Sequence, residues 1–324
     1  MTMNRAHYDV SVVVPCYKDE GNILELYARL SSTLKDKQLT YEVIYINDGS
    51  PDNSKEVLNS LADKHPELTV IHHSRNFGLM SVYDTGAKQS LGDCVIFMDG
   101  DLQDPPEVIP KFIDKWREGY DVVYGQAISR DEKLLRKIGY WLFYRLWDKL
   151  SNFEIPHDSG DFSLIDRKVV DVINQLQEKE RFFRGLRAWV GFKQTCVPFH
   201  RDKRFSGTTT QSLYNYLSWA IFAITSFSHK PLRFLSLIAV VTAGINILWF
   251  LSLLLMYIFN IKGPEGYLML ISLNLILGSL LLICLGTISE YITRIYSEIK
   301  RRPTSIISET INCHRLNFSE NNKP

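Results

Sequence analysis

No cysteine in this chain sits close enough to another to form a metal knuckle or a disulfide framework. The five, Cys16, Cys94, Cys196, Cys284 and Cys313, are scattered and make no CxxC pair. Reduced thiols in a reducing compartment are the expected state. Charge of one sign is also missing. The 324 residues carry 37 lysines and arginines against 36 aspartates and glutamates, a formal net charge of +1. That balance gives no global attraction to nucleic acid. No GxGxxG follows the first apolar run, which argues against a dinucleotide dehydrogenase, and the absence of GxxxxGK[ST] argues against a P-loop. The opening stretch from Met1 to Asp9 is polar, so no secretory signal is expected there.

Charge is absent from two long stretches near the C-terminus. Leu235 to Ile258 and Leu268 to Ile288 are uncharged runs of about 24 and about 21 residues, each long enough to span a bilayer. Buried core helices seldom run so far without a charge. A short polar turn, Asn260 to Gly266, joins the two runs. Lys230 and Arg233 precede the first run, and Arg294, Lys300, Arg301 and Arg302 follow the second, whereas the turn holds only Lys262 against Glu265. The positive-inside rule puts both ends in the cytoplasm. The expected organisation is a catalytic domain over 1–230, a two-helix anchor over 231–292 and a cytoplasmic tail over 293–324, frayed from Asn312.

The first 125 residues alternate between the two periods of regular structure. Strands are expected at Val10–Val14, Tyr41–Ile46, Leu68–Ile71, Asp93–Met98 and Asp121–Tyr124. Helices are expected at Asn22–Leu34, Asp52–His65, Leu79–Leu91 and Pro106–Arg117. This order predicts an α/β fold with a mainly parallel sheet, whose ligands bind beyond the carboxyl ends of the strands. Lys133–Phe153 and Tyr214–Phe227 are aromatic-rich and amphipathic, the former also basic, and fit either a membrane interface or a helix packed on the core.

The polar clusters fall at strand ends. Asp99, Asp101 and Gln103 alternate after an apolar run, so three oxygen donors can share one face. That set suits a hard divalent ion, Mg²⁺ or Mn²⁺, completed by water and phosphate. Two aspartates in a turn are often only solvated, but Asp104-Pro105-Pro106 breaks the chain here and starts a helix. Asp48 suits a uracil N3–H or a helix cap. Asp158 and Asp161 are candidate general bases, or structural turn residues. Arg201 and Arg204 form a basic loop whose guanidinium forks match a diphosphate, or a solvated charge cluster. Arg130 and Arg136 lie among apolar residues and suit a lipid-borne phosphate.

Taken in order, several segments resemble the inverting glycosyltransferases of family 2 with a GT-A fold. They are Val13-Val-Pro-Cys-Tyr17, Ile46-Asn-Asp-Gly-Ser50, Ser74-Arg-Asn-Phe-Gly78, Met98 through Pro106, Gly160-Asp-Phe162, Trp189-Val-Gly-Phe192 and Ile224-Thr-Ser-Phe227. The two apolar runs and the basic tail extend the likeness to the polyprenyl-phosphate glycosyltransferases, the bactoprenol glucosyltransferase and dolichol-phosphate mannose synthase group. The resemblance implies that Pro15, Tyr17, Glu20 and Asp48 hold the nucleoside. It implies that Asp99, Asp101 and Gln103 hold the metal, with Arg201 and Arg204 on the donor side and Asp158 or Asp161 near the anomeric carbon. Many relatives carry an arginine where this chain has Ala127, which shifts acceptor-phosphate binding onto Arg130.

The function so implied is transfer of a hexose, glucose first, from a UDP-sugar to polyprenyl phosphate such as undecaprenyl phosphate. It would proceed with inversion, at a bacterial inner membrane, with the catalytic domain in the cytoplasm. A homo-oligomer, a tetramer, is implied as well. The alternatives are UDP-GlcNAc or another sugar nucleotide as donor, or a non-catalytic membrane subunit that keeps the fold. A processive polysaccharide synthase is disfavoured, because Arg184-Gly-Leu-Arg187-Ala-Trp189 does not fit its Gln-x-x-Arg-Trp segment.

Overall fold

The computed structural model describes residues 7–128, 159–179, 181–201, 228, 230–259 and 266–313. The expected amphipathic stretches at 133–153 and 214–227, and the candidate residues Arg130, Arg136, Asp158 and Arg204, lie outside the described residues.

Continuous apolar runs become the inner strands, as burial on both faces requires. β1 (Val10–Cys16), β2 (Tyr41–Asn47), β3 (Leu68–His73) and β4 (Cys94–Phe97) are buried at every position except Pro15. Helices α1 (Ile23–Asp36), α2 (Ser54–Ala62), α3 (Leu79–Gln89) and α4 (Ile109–Arg117) alternate with them. The apolar face of α1 is buried through Ile23, Leu26, Leu30 and Leu34. β5 (Val122–Ala127), β6 (Ser159–Asp166), β7 (Gln194–Phe199) and β8 (Ile307–Ile311) complete a sheet ordered β7-β5-β6-β4-β1-β2-β3-β8. α5 (Arg167–Gln175) and α6 (Phe183–Trp189) lie between β6 and β7 in the chain. β6 runs antiparallel to both β4 and β5, and β8 runs antiparallel to β3; the remaining neighbours are parallel. The mixed α/β sheet therefore has the mainly parallel character that the residue pattern predicts.

The last three strands were not legible in the sequence. β7 contains Pro198, and β8 reads Ile-Ser-Glu-Thr-Ile, a half-polar edge strand with no continuous apolar run. β8 also changes the account of the tail. Beyond the second apolar run the chain returns to the sheet. Asn312 Nδ2 donates to the carbonyls of Ala62 and Leu68 at 2.9 and 3.1 Å, and Thr69 Oγ1 donates to the carbonyl of Asn312. The expected fraying from Asn312 is therefore corrected at that residue: its amide replaces water for carbonyls that α2 and the following turn leave open.

The chain divides into two compact units. One contains the sheet and the residues from Arg302 onward. The other contains α7 (Lys230–Ile258) and α8 (Tyr267–Ile299). Within these helices Leu232–Ser252 and Leu273–Ile299 are long and apolar enough to cross a membrane, and none of either stretch is buried. Leu248 and Leu282 are each 69% exposed, an apolar surface that does not fit the core-helix alternative. α8 continues past the expected end at Ile288, where Glu290 pairs with Arg294 one turn on at 3.3 Å.

Candidate active site at the carboxyl edge of the sheet

The acidic loop leaves β4 and is folded by its own carboxylates. Asp101 Oδ1 accepts from the Gln103 backbone N–H at 3.1 Å, and Asp104 Oδ2 accepts from that of Asp99 at 3.4 Å. Gly100 is required here, because a Cβ would lie 2.4 Å from the Pro15 carbonyl oxygen at the end of β1. Leu102 is buried with φ +61°, a left-handed conformation that costs an L-residue energy and is held by its surroundings. Asp104, expected only as a helix breaker, is a buried member of the cluster.

Topology brings further groups to this edge. Phe97 of β4 pairs with Ser163 of β6, so continuing the antiparallel register sets Asp161 opposite Asp99. Ala127 of β5 pairs with Phe199 of β7, which delivers Arg201 to the same edge. Arg201 Nη2 is 3.4 Å from Asp99 Oδ2, and its Nε is 3.8 Å from Asp104. Tyr83 of α3 donates its hydroxyl to Asp99 Oδ1 at 3.0 Å. Arg184 of α6 grips Asp161 with a bidentate fork, both bonds 2.8 Å.

These contacts split the carboxylates by charge state. Burial, then the carboxylates of Asp161 and Asp101, push the Asp99 carboxyl up to about 6. Burial and Asp99 push Asp104 up to about 8. Asp161 goes the other way. Burial raises it, but Arg184, Arg187 and Arg201 together outweigh burial and hold it below the usual range. Asp161 is thus a poor proton acceptor, with both oxygens engaged. Asp99 is 29% exposed at its side chain, which leaves it open to a ligand.

The donor-side candidates sit on two adjoining loops. Lys18 N donates to Ser50 Oγ at 2.8 Å, Glu20 N to Asp52 Oδ2 at 3.3 Å, and Asn53 N to Glu20 Oε2 at 3.3 Å. Pro15 and Tyr17 lie at the carboxyl end of β1, and Tyr17 is 40% exposed. Asp48 is buried and heavily used. It accepts from Phe77 N at 2.9 Å and Gly78 N at 2.7 Å, and its Oδ1 lies 2.8 Å from His73 Nδ1. It makes no side-chain cap of α2; Asp52 accepts from Ser54 N there instead.

Clustered carboxylates and arginines at the carboxyl edge of a mainly parallel sheet accompany a consistent result from comparison with known proteins. The sequence profile of glycosyl transferase family 2 covers residues 11–173. The chain belongs to glycosyl transferase family 2. An uncharacterized glycosyltransferase, YkcC, of Bacillus subtilis (strain 168) is 40% identical over 94% of this chain and 94% of its own. The prophage bactoprenol glucosyl transferase homolog of Escherichia coli (strain K12) is 36% identical over 92% of this chain and 98% of its own. Among solved structures, glucosyl-3-phosphoglycerate synthase of Mycobacterium tuberculosis overlaps 68% of this chain and 79% of that one, at 16% identity and a TM-score of 0.47.

For a family 2 enzyme the fit of a cation rests on the donor set. Among the described residues no three His, Cys, Asp or Glu side chains converge as metal ligands. Two carboxylates suffice for Mg²⁺ or Mn²⁺ when water and substrate phosphate complete the shell. The raised Asp99 carboxyl marks surplus negative charge that a cation would relieve. The expected residues Asp99, Asp101, Asp161 and Arg201 come together, while Pro15, Tyr17, Glu20 and Asp48 form the neighbouring loops. Tyr83, Asp104, Arg184 and His73 were missed. No motif marks Tyr83 or His73, and Arg184 and Arg187 entered the sequence reading only in the segment that does not fit a processive synthase.

Proposed function

We propose that the chain transfers a hexose, glucose, from UDP-glucose to a polyprenyl phosphate at a membrane, with inversion. The observation that carries this reading is the whole-length match to proteins named bactoprenol glucosyl transferase. A match over 92% or more of the chain leaves too few residues out to miss either the acidic edge or the two apolar helices. The apolar helices hold the enzyme in the inner membrane beside its lipid acceptor. The sheet takes strands from before and after the helix pair, which supports both ends lying on one side, and the basic flanks favour the cytoplasm as that side.

In this account the loops carrying Pro15, Tyr17, Glu20 and Asp48 hold the nucleoside, and Arg201 and Arg204 hold the diphosphate. Asp99 and Asp101, with Gln103, hold Mg²⁺ or Mn²⁺, which when bound neutralises charge on the leaving diphosphate. Arg130 and Arg136 receive the lipid phosphate. Its oxygen attacks the anomeric carbon as the bond to UDP breaks, and UDP leaves with the electron pair. A phosphate monoester has its second pKa at about 6 and needs little deprotonation at neutral pH. Asp161 orients Arg184, and Asp158 is left as the carboxylate that positions the acceptor.

Full-length protein in membranes is incubated with radiolabelled UDP-glucose, with and without undecaprenyl phosphate. Label is expected in the organic extract only when the lipid is added. Label that stays wholly water-soluble in both arms overturns the reading.

A further inference from the structure

A hydrogen-bond chain that ends at Asp48 begins in the segment after α8. His73 Nδ1 faces Asp48 at 2.8 Å, and His73 Nε2 lies 3.0 Å from Thr85 Oγ1. Thr85 Oγ1 is in turn 2.8 Å from Ser305 Oγ. His73, Asp48 and Thr85 are all buried. A carboxylate only accepts, so His73 carries a proton on Nδ1. Thr85 Oγ1 has a single hydrogen and donates it to the Ser81 carbonyl at 2.9 Å, so towards Ser305 it accepts and Ser305 donates.

The same segment is fastened on both sides of this link. Thr304 Oγ1 donates to Asp84 Oδ2 at 2.6 Å, and buried Asp84 also pairs with Arg181 and Lys88, each at 2.7 Å. The Ser74 N–H donates to the Ile306 carbonyl at 2.9 Å, and Ser308 Oγ to that of His72 at 3.0 Å. Asp48 itself clamps Phe77 and Gly78. A Cβ at Gly49 would meet the Arg75 backbone at 2.5 Å, so the loops after β2 and β3 pack backbone against backbone.

We propose that Ser305 is a positioning residue for the donor nucleotide, acting through Thr85 and His73 on Asp48 and the two loops it joins. The assignment rests on the reading that these loops hold the nucleoside. It means that the donor side is complete only once the chain has passed through both apolar helices and docked on α3. A chain ending at Lys230 would lack the segment entirely.

The test measures UDP affinity of the full-length protein by calorimetry, with Mg²⁺ present, and KM for polyprenyl phosphate alongside. Ser305→Ala is expected to weaken UDP about two- to tenfold, the range for one net hydrogen bond, with the acceptor KM unchanged. Ser305→Thr keeps the hydroxyl and is expected to restore affinity. Thr85→Val is expected to weaken UDP as well, and the double variant to be no weaker than Thr85→Val alone. Should Thr85→Val fail to fold, the half-buried Ser305 pair carries the decision. Unchanged UDP affinity in Ser305→Ala, or an equal loss for the acceptor, overturns the assignment while leaving the donor reading intact. A wild-type protein that binds GDP and not UDP overturns the uridine donor instead, and the same series read with GDP then decides the role of Ser305. Binding of neither nucleotide overturns both.

Discussion

Replacing Gly100 by alanine probes how tightly the acidic loop is held against β1. The added Cβ would sit 2.4 Å from the Pro15 carbonyl oxygen, where real Cβ atoms stay beyond 3.0 Å, and 3.7 Å from Val14 Cγ1. Pro15 is in β1, where it pairs with Ile46 of β2, and β1 is held by β4 as far as Val13, so the loop yields before the strand does. The loop carries Asp99 and Asp101, and relief of the contact moves both by at least about half an ångström. Overpacking of this kind costs roughly 1–3 kcal/mol of stability, and a misplacement of ~1 Å at a reacting centre costs on the order of a hundredfold in rate. Gly100→Ala is therefore expected to lower kcat/KM for sugar transfer by ten- to a hundredfold, as an order-of-magnitude figure, with a modest fall in Tm. Gly119→Ala is the control. Gly119 has φ +90° and open space around it, at the opposite edge of the sheet. It should lose about 1–2 kcal/mol to its backbone conformation alone and keep its activity. Wild-type kcat/KM in Gly100→Ala, in protein as stable as the control, would refute the argument.

Asp101→Asn keeps shape and removes charge from the cation site; transfer should fall by orders of magnitude in protein that still folds and binds membranes. Near-normal turnover with Mg²⁺ or Mn²⁺ would remove Asp101 from that role. Arg201→Ala should raise KM for the sugar nucleotide more than for the lipid, and Arg130→Ala the reverse, each by about ten- to a hundredfold for a bond to a charged group. Kinetics with each substrate varied in turn check the division. Burial and then the charge of Lys55 lower the His72 pKa below 6.5, against the smaller upward pulls of Glu309 and Glu56. The unfolded chain then binds the proton first, so stability is full above pH 6.5 and falls as pH drops below it. Tm measured across this window should decline in the wild type and stay flatter in His72→Gln.

How much could be read in advance depended on the kind of signal. The inner strands β1 to β4 are buried on both faces, and unbroken apolar runs such as Val10–Val14 report that directly. Asp99, Asp101 and Arg201 follow from placing polar clusters at strand ends. β6 and β8 escaped because an antiparallel insertion and a half-polar edge strand leave no such run. Asp161 was legible as a candidate, but not the Arg184 fork that keeps it ionised, since that pairing spans separate elements. Asp48 shows the limit most clearly. Its residue type fits a nucleobase or a cap, and only the positions of His73, Phe77 and Gly78 reveal how its oxygens are used.

The most direct test of the whole account is the structure of the product. The lipid fraction from a reaction with UDP-glucose and undecaprenyl phosphate is purified, and its mass and anomeric configuration are determined by mass spectrometry and NMR. The account predicts the polyprenyl phosphate carrying one hexose, linked through phosphate oxygen with the anomeric configuration opposite to that in the donor. A lipid product of retained configuration, or a lipid recovered without sugar while UDP-glucose is consumed, would contradict it.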